Sequence, residues 1–172
     1  EYRLSVNYNC RLINGEVPYD EDLMMLSISN SAEDLVAAIA FLKSRSTEFG
    51  IDTNKIANLG WSAGGMSVLR TLAPDYSSDD RANVSFAMGA TINDLIETRF
   101  GPFENTPPLL LINADFDEQW IGPQPDVQAD CQRLNVAGGD CTSIKLPVTH
   151  AEMNFIRFAE YIVPFLKTKL GV

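Results

Sequence analysis

One serine of the sequence, Ser62, lies between two glycines where an apolar run meets a stretch with helical spacing. Glycine removes the side chain that would collide with neighbouring backbone where a strand turns sharply into a helix. Gly60 and Gly64 flank Ser62 in the pattern G-x-S-x-G, which is typical of a nucleophilic serine. The pattern is short and arises by chance in loops, but a predicted strand before it and a predicted helix after it favour the catalytic hypothesis.

His150 is the candidate general base, because a serine hydroxyl is a weak nucleophile until a neighbouring group accepts its proton. It is the only histidine of the chain, and it directly follows the last predicted strand. A lone histidine is more often a surface or core residue than a catalyst. Here both Ser62 and His150 follow predicted parallel strands, and the carboxyl ends of such strands meet at one edge of a sheet. We therefore expect the two side chains to converge.

An acid that orients the histidine is expected between the serine and the histidine in the sequence. Three acidic residues follow the most apolar run of the chain, and the order of preference is Asp117, Asp115 and Glu118. Asp94, after the preceding predicted strand, is a more distant candidate. The acids that do not take this role are expected to be solvated loop charges or helix caps.

The other candidate site residues surround the serine. The backbone N–H of Ala63, at the start of the predicted helix, is placed to donate to the oxyanion that forms when a carbonyl is attacked. Trp61 and Trp120 are candidates for the wall of a substrate pocket, with Phe100 and Phe103 as further aromatic candidates. Aromatic residues in such loops more often pack in the core or at its rim.

The elements that must position these residues alternate between strands and helices. Strands are predicted at 4–8, 55–59, 84–90, 109–114 and 141–146, and helices at 31–49, 62–72, 127–136 and 152–170. A capping box at 31–34 is expected to begin the first of these helices, and Pro164 is expected to bend the last. Such alternation predicts the α/β class, with a mainly parallel sheet flanked by helices.

Composition limits the partners. The chain has 172 residues and a net charge of −10, which disfavours nucleic-acid or anionic membrane surfaces and leaves a neutral small molecule as the expected substrate. No run approaches the 18 apolar residues of a membrane span, so none is expected. Neither a metal nor an organic cofactor is implied. The three cysteines lack the spacing of metal ligands, and Cys131 and Cys141 either pair as a disulfide in an exported chain or are buried thiols.

The motifs resemble those of the α/β-hydrolase superfamily, and most of all its carboxylesterase and feruloyl-esterase-like members. The segment FGIDTNKIANLGWSAGG, at 49–65, is similar to the family stretch "fgiDpdriaviGxSAGG". The segment PPLLLINADFD, at 107–117, is similar to the family's "PPxLLIHGxxD", whose last residue is the acid of the triad; the resemblance therefore favours Asp117 over Asp115. Around His150 only the histidine itself matches. The chain order serine, acid, histidine is also that of the superfamily.

The resemblance places the chain in the later part of the family's fold. Val6-Asn7-Tyr8 and Arg11-Leu12 are similar to the family's "vNYRL" strand, whereas the His-Gly-Gly oxyanion loop has no counterpart in the sequence. We therefore expect residues 1–172 to be a single α/β-hydrolase domain that lacks the N-terminal strands and forms the C-terminal part of a larger catalytic domain. The missing strands would come from a longer chain or from a second chain. The alternative is a reduced fold that finds its second oxyanion donor elsewhere.

Three functions remain open on the sequence. The first is a serine esterase that cleaves carboxylic esters through an acyl-enzyme, with Ser62, Asp117 and His150 as its triad. The second is a peptidase of the prolyl-oligopeptidase type, whose similar Gly-Trp-Ser-x-Gly-Gly segment has a tyrosine in place of Ala63. The third is a non-catalytic domain that uses the hydrolase fold for binding.

Overall fold

The architecture was analysed in a computed structural model, which describes residues 20–92, 94–118, 125–153 and 158–172. The strand predicted at 4–8, Cys10 and the pocket candidate Trp120 lie outside these ranges.

The described chain alternates between strands and helices, as predicted. The described residues form four strands, which are β1 (Ala57–Trp61), β2 (Val84–Met88), β3 (Leu109–Phe116) and β4 (Cys141–Thr149). Within the same ranges lie six α-helices, which are α1 (Glu21–Ser44), α2 (Ser46–Phe49), α3 (Ala63–Arg70), α4 (Asp94–Phe100), α5 (Val127–Val136) and α6 (Val163–Leu170). Short 3₁₀ turns lie at Ser78–Asp80 and Ala151–Met153, and a π-helical turn at Phe158–Ile162 leads into α6.

The sheet is parallel throughout and has the strand order β1-β2-β3-β4. All four strands therefore end at one edge, which is where open α/β sheets bind ligands. The predicted class, an α/β fold with a parallel sheet flanked by helices, is confirmed. The expectation that further strands complete the sheet stays a prediction.

Helices cover both faces of the sheet, and each face has its own apolar cluster. On one face α1, α3 and α5 enclose a cluster that includes Leu69, Leu111 and Leu134. On the other face α6 packs against Phe86 and Ile112, and Phe165 meets the edge of the Phe86 ring at a centroid distance of 5.6 Å. Each apolar side chain buried in this way contributes about 1.5–3 kcal/mol, so the two clusters fix the sheet between its helices.

The structure corrects the first predicted helix. It begins at Glu21 rather than at the predicted capping box, because the Asp20 side chain accepts the N–H of Leu23 and caps the helix there. Ser31 lies inside α1, where its hydroxyl bonds to the carbonyl of Ile28 and to the hydroxyl of Ser67. The sequence pattern at Ser31 is that of an N-cap, although the residue lies inside a helix. In both positions a serine hydroxyl can bond to nearby backbone.

The structure also corrects the last predicted helix and adds one that was not predicted. Among the described residues of the region 152–170, only Val163–Leu170 are α-helical, because a 3₁₀ turn ends at Met153 and a π-helical turn occupies Phe158–Ile162. Pro164 lies in the first turn of α6, where proline is well accommodated. Residues 154–157 of that region lie outside the described ranges. Helix α4 occupies a stretch without clear helical spacing in the sequence.

Helix α1 is long and apolar enough, by length and composition alone, to cross a membrane. This is weak evidence, because core helices and N-terminal signal sequences pass the same test. Met25, Ile28, Ala32 and Ile39 of this helix are buried. The absence of a membrane span therefore stays a prediction.

A disulfide joins Cys131 of α5 to Cys141 of β4, which decides between the two alternatives for this pair. The two cysteines are 10 residues apart, and closing a loop of this size stabilises a fold by about 3 kcal/mol in the chain-entropy model. The bond ties α5 to the first residue of the strand that leads to His150.

Candidate active site

The nucleophile candidate Ser62 occupies the single residue between β1 and α3. Its backbone has φ 57° and ψ −123°, a conformation that non-glycine residues rarely adopt. Its N–H donates to the carbonyl of Met88, at 2.7 Å, which fastens the turn to the end of β2. A hydrogen bond to the neighbouring strand and the helix that follows hold the strained backbone, as the nucleophile-elbow pattern requires.

The sharp turn at Ser62, called the elbow below, requires glycine at two nearby positions. These are not the same two positions as in the G-x-S-x-G motif. A Cβ at Gly60 would overlap the carbonyl of Gly64. A Cβ at Gly65 would lie 2.8 Å from the Cβ of Ala90, whereas a Cβ at Gly64 would meet nothing within 4 Å. The steric need for glycine thus lies at Gly60 and Gly65, because strand, helix and the end of β2 approach one another there.

The acid and base candidates are in direct contact. Nδ1 of His150 lies 2.7 Å from Oδ2 of Asp117, and the two residues are 6% and 3% exposed. A carboxylate only accepts hydrogen bonds, so Nδ1 carries the proton and donates it. The other ring nitrogen, Nε2, is then the one that can exchange a proton with a hydroxyl.

The elbow and the acid–base pair meet at the end of β2. Gly89, the residue after β2, has φ 62°, and a Cβ there would lie 2.8 Å from Cε1 of His150. The preceding residue, Met88, holds the N–H of Ser62. The Trp61 ring, beside Ser62, lies 5.2 Å from the imidazole between centroids. Ser62 and His150 therefore lie against two consecutive residues of one strand end.

The remaining acid candidates lie elsewhere or have other contacts. Asp115 faces Lys145, 3.5 Å away, and is largely solvated. Glu118, like Asp117, contacts His150, but it accepts a hydrogen bond from the backbone N–H, at 3.0 Å, and not from the ring. Asp94 is the first residue of α4. Of Asp115, Asp117 and Glu118, Asp117 contacts the imidazole ring.

The oxyanion and pocket candidates differ in where the structure places them. Ala63 is the first residue of α3, so its N–H has no carbonyl to bond within the helix. Trp61 is 43% exposed beside His150, in a position to contact a substrate. By contrast, Phe103 is buried in the core and Phe100 packs against the Arg70 guanidinium, 4.4 Å from its ring centroid.

A buried carboxylate that the sequence did not point to supports the segment after β2. Asp130 of α5 accepts hydrogen bonds from the Thr91 hydroxyl and the backbone N–H of Ile92. Arg133 bonds both to Asp130 and to the Ile92 carbonyl. Desolvation by burial raises the pKa of Asp130. An acid inside an amphipathic helix carries no sequence signal for such a role, because its partners come from a distant loop.

Two further features of the described ranges bear on ligands. No group of three or more histidine, cysteine, aspartate or glutamate side chains within 20–92, 94–118, 125–153 and 158–172 could hold a metal ion. A small cavity of about 30 Å³, lined by Ile92, Phe103, Asp130 and their neighbours, involves none of the predicted catalytic residues.

Comparison with known proteins rests on structure. No protein-family model and no curated protein matches the sequence. Among solved structures, the chain is similar to the thermophilic esterase Est2 of the planctomycete Thermogutta terrifontis with butyrate bound (17% identity, TM-score 0.59). That similarity covers 82% of this chain and 63% of the esterase.

Two more solved structures show the same likeness. Est2 phosphorylated by paraoxon has 19% identity and a TM-score of 0.60, over 82% of this chain and 61% of that one. A SOBER1 variant of Arabidopsis thaliana has 19% identity and a TM-score of 0.59, over 89% and 68%. The protein thus has an α/β-hydrolase fold, as the sequence resemblance implied, and it spans about 63% of the length of the first of these relatives.

Proposed function

We propose that the protein is a serine hydrolase that cleaves carboxylic esters through an acyl-enzyme. The observation that carries the proposal is the convergence of a strained serine with a hydrogen-bonded histidine–aspartate pair. Ser62 and His150 contact the end of one strand, and Asp117 bonds to Nδ1 of the histidine at 2.7 Å. This is the set of groups that activates a serine hydroxyl.

The reaction would proceed in two halves. Oγ of Ser62 attacks the ester carbonyl carbon while Nε2 of His150 takes the hydroxyl proton, and the tetrahedral intermediate then expels the alcohol, which receives that proton. A water molecule next attacks the acyl-enzyme, with His150 again accepting and returning a proton. The carboxylic acid leaves and the Ser62 hydroxyl is restored. Throughout, Asp117 keeps the imidazole in the Nδ1–H form and stabilises its positive charge.

Stabilisation of the oxyanion would begin with the backbone N–H of Ala63. This group is fixed at the start of α3 and is not consumed by the helix. One oxyanion donor is worth about 10²–10³-fold in rate, so a site with Ala63 alone would be an active but slow esterase. A second donor, from a segment that completes the sheet, would raise the rate by a similar factor.

The structural neighbours support an ester substrate with a short acyl chain. Est2 has been seen with butyrate bound, with propionate bound, and phosphorylated by paraoxon. We propose by analogy that small-molecule esters of this size are the substrates and that organophosphates modify Ser62. The exposed face of Trp61 would then form one wall of the pocket.

Hydrolysis of p-nitrophenyl butyrate by the purified chain tests this proposal. We expect turnover by the natural sequence and a loss of about 10⁴-fold or more in Ser62→Ala, because that variant has no nucleophile. Ser44→Ala removes a hydroxyl that donates to the Phe41 carbonyl of its own helix, and it should keep full activity. Equal activity in Ser62→Ala would contradict the proposal. Faster cleavage of a proline-containing amide would point to the peptidase instead, and folded protein inert toward both substrates would point to a binding domain.

A further inference from the structure

Two adjacent acids at the end of β3 bind two different parts of His150. Asp117 accepts the ring Nδ1–H at 2.7 Å, and Glu118 accepts the backbone N–H of the same histidine at 3.0 Å. The contacts span 33 and 32 positions of the sequence, so each joins the loop after β3 to the loop after β4. Together they form a two-point attachment between these loops.

The charge of Glu118 is well suited to this contact. Two hydrogen bonds lower the pKa of the Glu118 carboxyl most: the one from its own backbone N–H, followed by the one from the backbone N–H of His150. The carboxylate therefore stays ionised below the pH at which a free glutamate takes up a proton. An ionised acceptor makes a stronger hydrogen bond to a backbone N–H than a neutral one.

The neighbouring residue is held in a similar way from the other side. Glu152 accepts both the backbone N–H and the hydroxyl of Thr149, each at 2.9 Å. Glu152 thus binds the main chain at Thr149, just before the histidine, and Glu118 binds it at His150. The ring itself is bound at Nδ1 by Asp117 and packs against Trp61.

We propose that Glu118 is a positioning residue for the general base, which fixes the main chain of His150 while Asp117 fixes its ring. A single hydrogen bond at Nδ1 would let ring and carboxylate swing together, because both lie in loops beyond the last ladder of the sheet. The second attachment removes that motion and keeps Nε2 at a constant distance from the Ser62 hydroxyl. A displacement of about 1 Å at a reacting atom costs up to about 10²-fold in rate. This inference rests on the proposed esterase function.

The test compares Glu118→Ala, Glu118→Gln and Asp115→Asn in the full chain. Asp115→Asn removes the same charge from the same segment but leaves His150 untouched. We expect Glu118→Ala to lower kcat by about 10-fold to 10²-fold with KM unchanged. Glu118→Gln keeps an oxygen acceptor and should recover kcat to within about 3-fold of the natural value. Asp115→Asn should match the natural protein.

A spectroscopic readout separates this inference from the esterase proposal. His150 is the only histidine, so NMR reports the Nδ1 proton of one imidazole without ambiguity. We expect its hydrogen-bonded signal to broaden in Glu118→Ala and to return in Glu118→Gln, whether or not the protein hydrolyses esters. An active natural protein with the same kcat and the same Nδ1 signal in Glu118→Ala would overturn the inference alone. A Glu118-dependent signal in a protein without esterase activity would overturn only the esterase proposal.

Discussion

The two halves of the candidate site are built in different ways. The elbow around Ser62 lies within one short segment, and contact distances that exclude a side chain at Gly60 and Gly65 define its shape. The acid–base half joins residues 33 positions apart, and the hydrogen bonds that His150 donates to Asp117 and Glu118 define its shape. One half is fixed by repulsion between backbones, and the other by attraction between loops.

This difference predicts how each half fails. An added methyl group in the elbow must push a strand away from a helix, so it should lower the free energy of unfolding. A lost hydrogen bond between the loops leaves the core clusters unchanged, so it should lower kcat rather than stability. Substitutions in the two halves should therefore separate loss of stability from loss of activity.

Among substitutions that keep the Ser62 hydroxyl, the largest effect on activity is expected in the acid–base half. Asp117→Asn keeps the shape of the side chain but no longer favours the Nδ1–H form of His150, and we expect kcat to fall by about 10³–10⁴-fold. The melting temperature should change little. The measurement is ester hydrolysis together with a thermal melt, with Asp115→Asn as the variant that changes charge alone. Loss of activity only in parallel with loss of folded protein would show that the two halves fail alike.

The largest effect on stability is expected in the elbow. Gly60→Ala places a methyl group on the carbonyl of Gly64, and we expect the free energy of unfolding to fall by about 3 kcal/mol. Gly64→Ala is the matched control from the same motif, because its methyl group meets open space. Alanine also favours the helix, so this variant should stay within about 1 kcal/mol of the natural protein. Urea unfolding measures both, and equal losses would contradict the steric account.

An intermediate effect is expected where the two halves meet. Gly89→Ala introduces backbone strain at φ 62° and a methyl group 2.8 Å from Cε1 of His150. Gly50→Ala carries similar strain at φ 67° with no atom within 4 Å. Both should lose about 1–2 kcal/mol of stability. Only Gly89→Ala should lose activity, by about 10-fold to 10²-fold, as ester hydrolysis will show.

The sequence predicted the locally determined parts of the molecule well. The strands at 84–90 and 109–114 and the turn at Ser62 follow from apolar runs and a glycine pattern, which act over a few residues. The parallel sheet follows from the alternation of elements. Helix α1 shows the limit, because Ser31 has the sequence pattern of an N-cap while Asp20, eleven residues earlier, makes the cap bond. Local patterns alone do not reveal which of two suitable residues the chain uses.

Where the site depends on contacts between distant segments, the sequence could rank the candidate acids but could not assign their partners. Asp115 lies within β3 and faces Lys145 of the neighbouring strand, whereas Asp117 and Glu118 follow the strand and meet His150 in the loop after β4. The backbone contact of Glu118 and the support that Asp130 gives to the segment after β2 have no signature in the sequence. Both depend on which loops the sheet brings together.

The most direct test of the central claim is the rate at which paraoxon modifies Ser62, measured by mass spectrometry of the peptide that carries it. An activated serine reacts in the folded protein and not in urea, and the rate falls by about 10³-fold or more in His150→Ala, because no base then takes the proton. We expect that pattern. Modification of Ser62 at the same rate in folded natural protein and in His150→Ala, or no modification at all, would contradict the account.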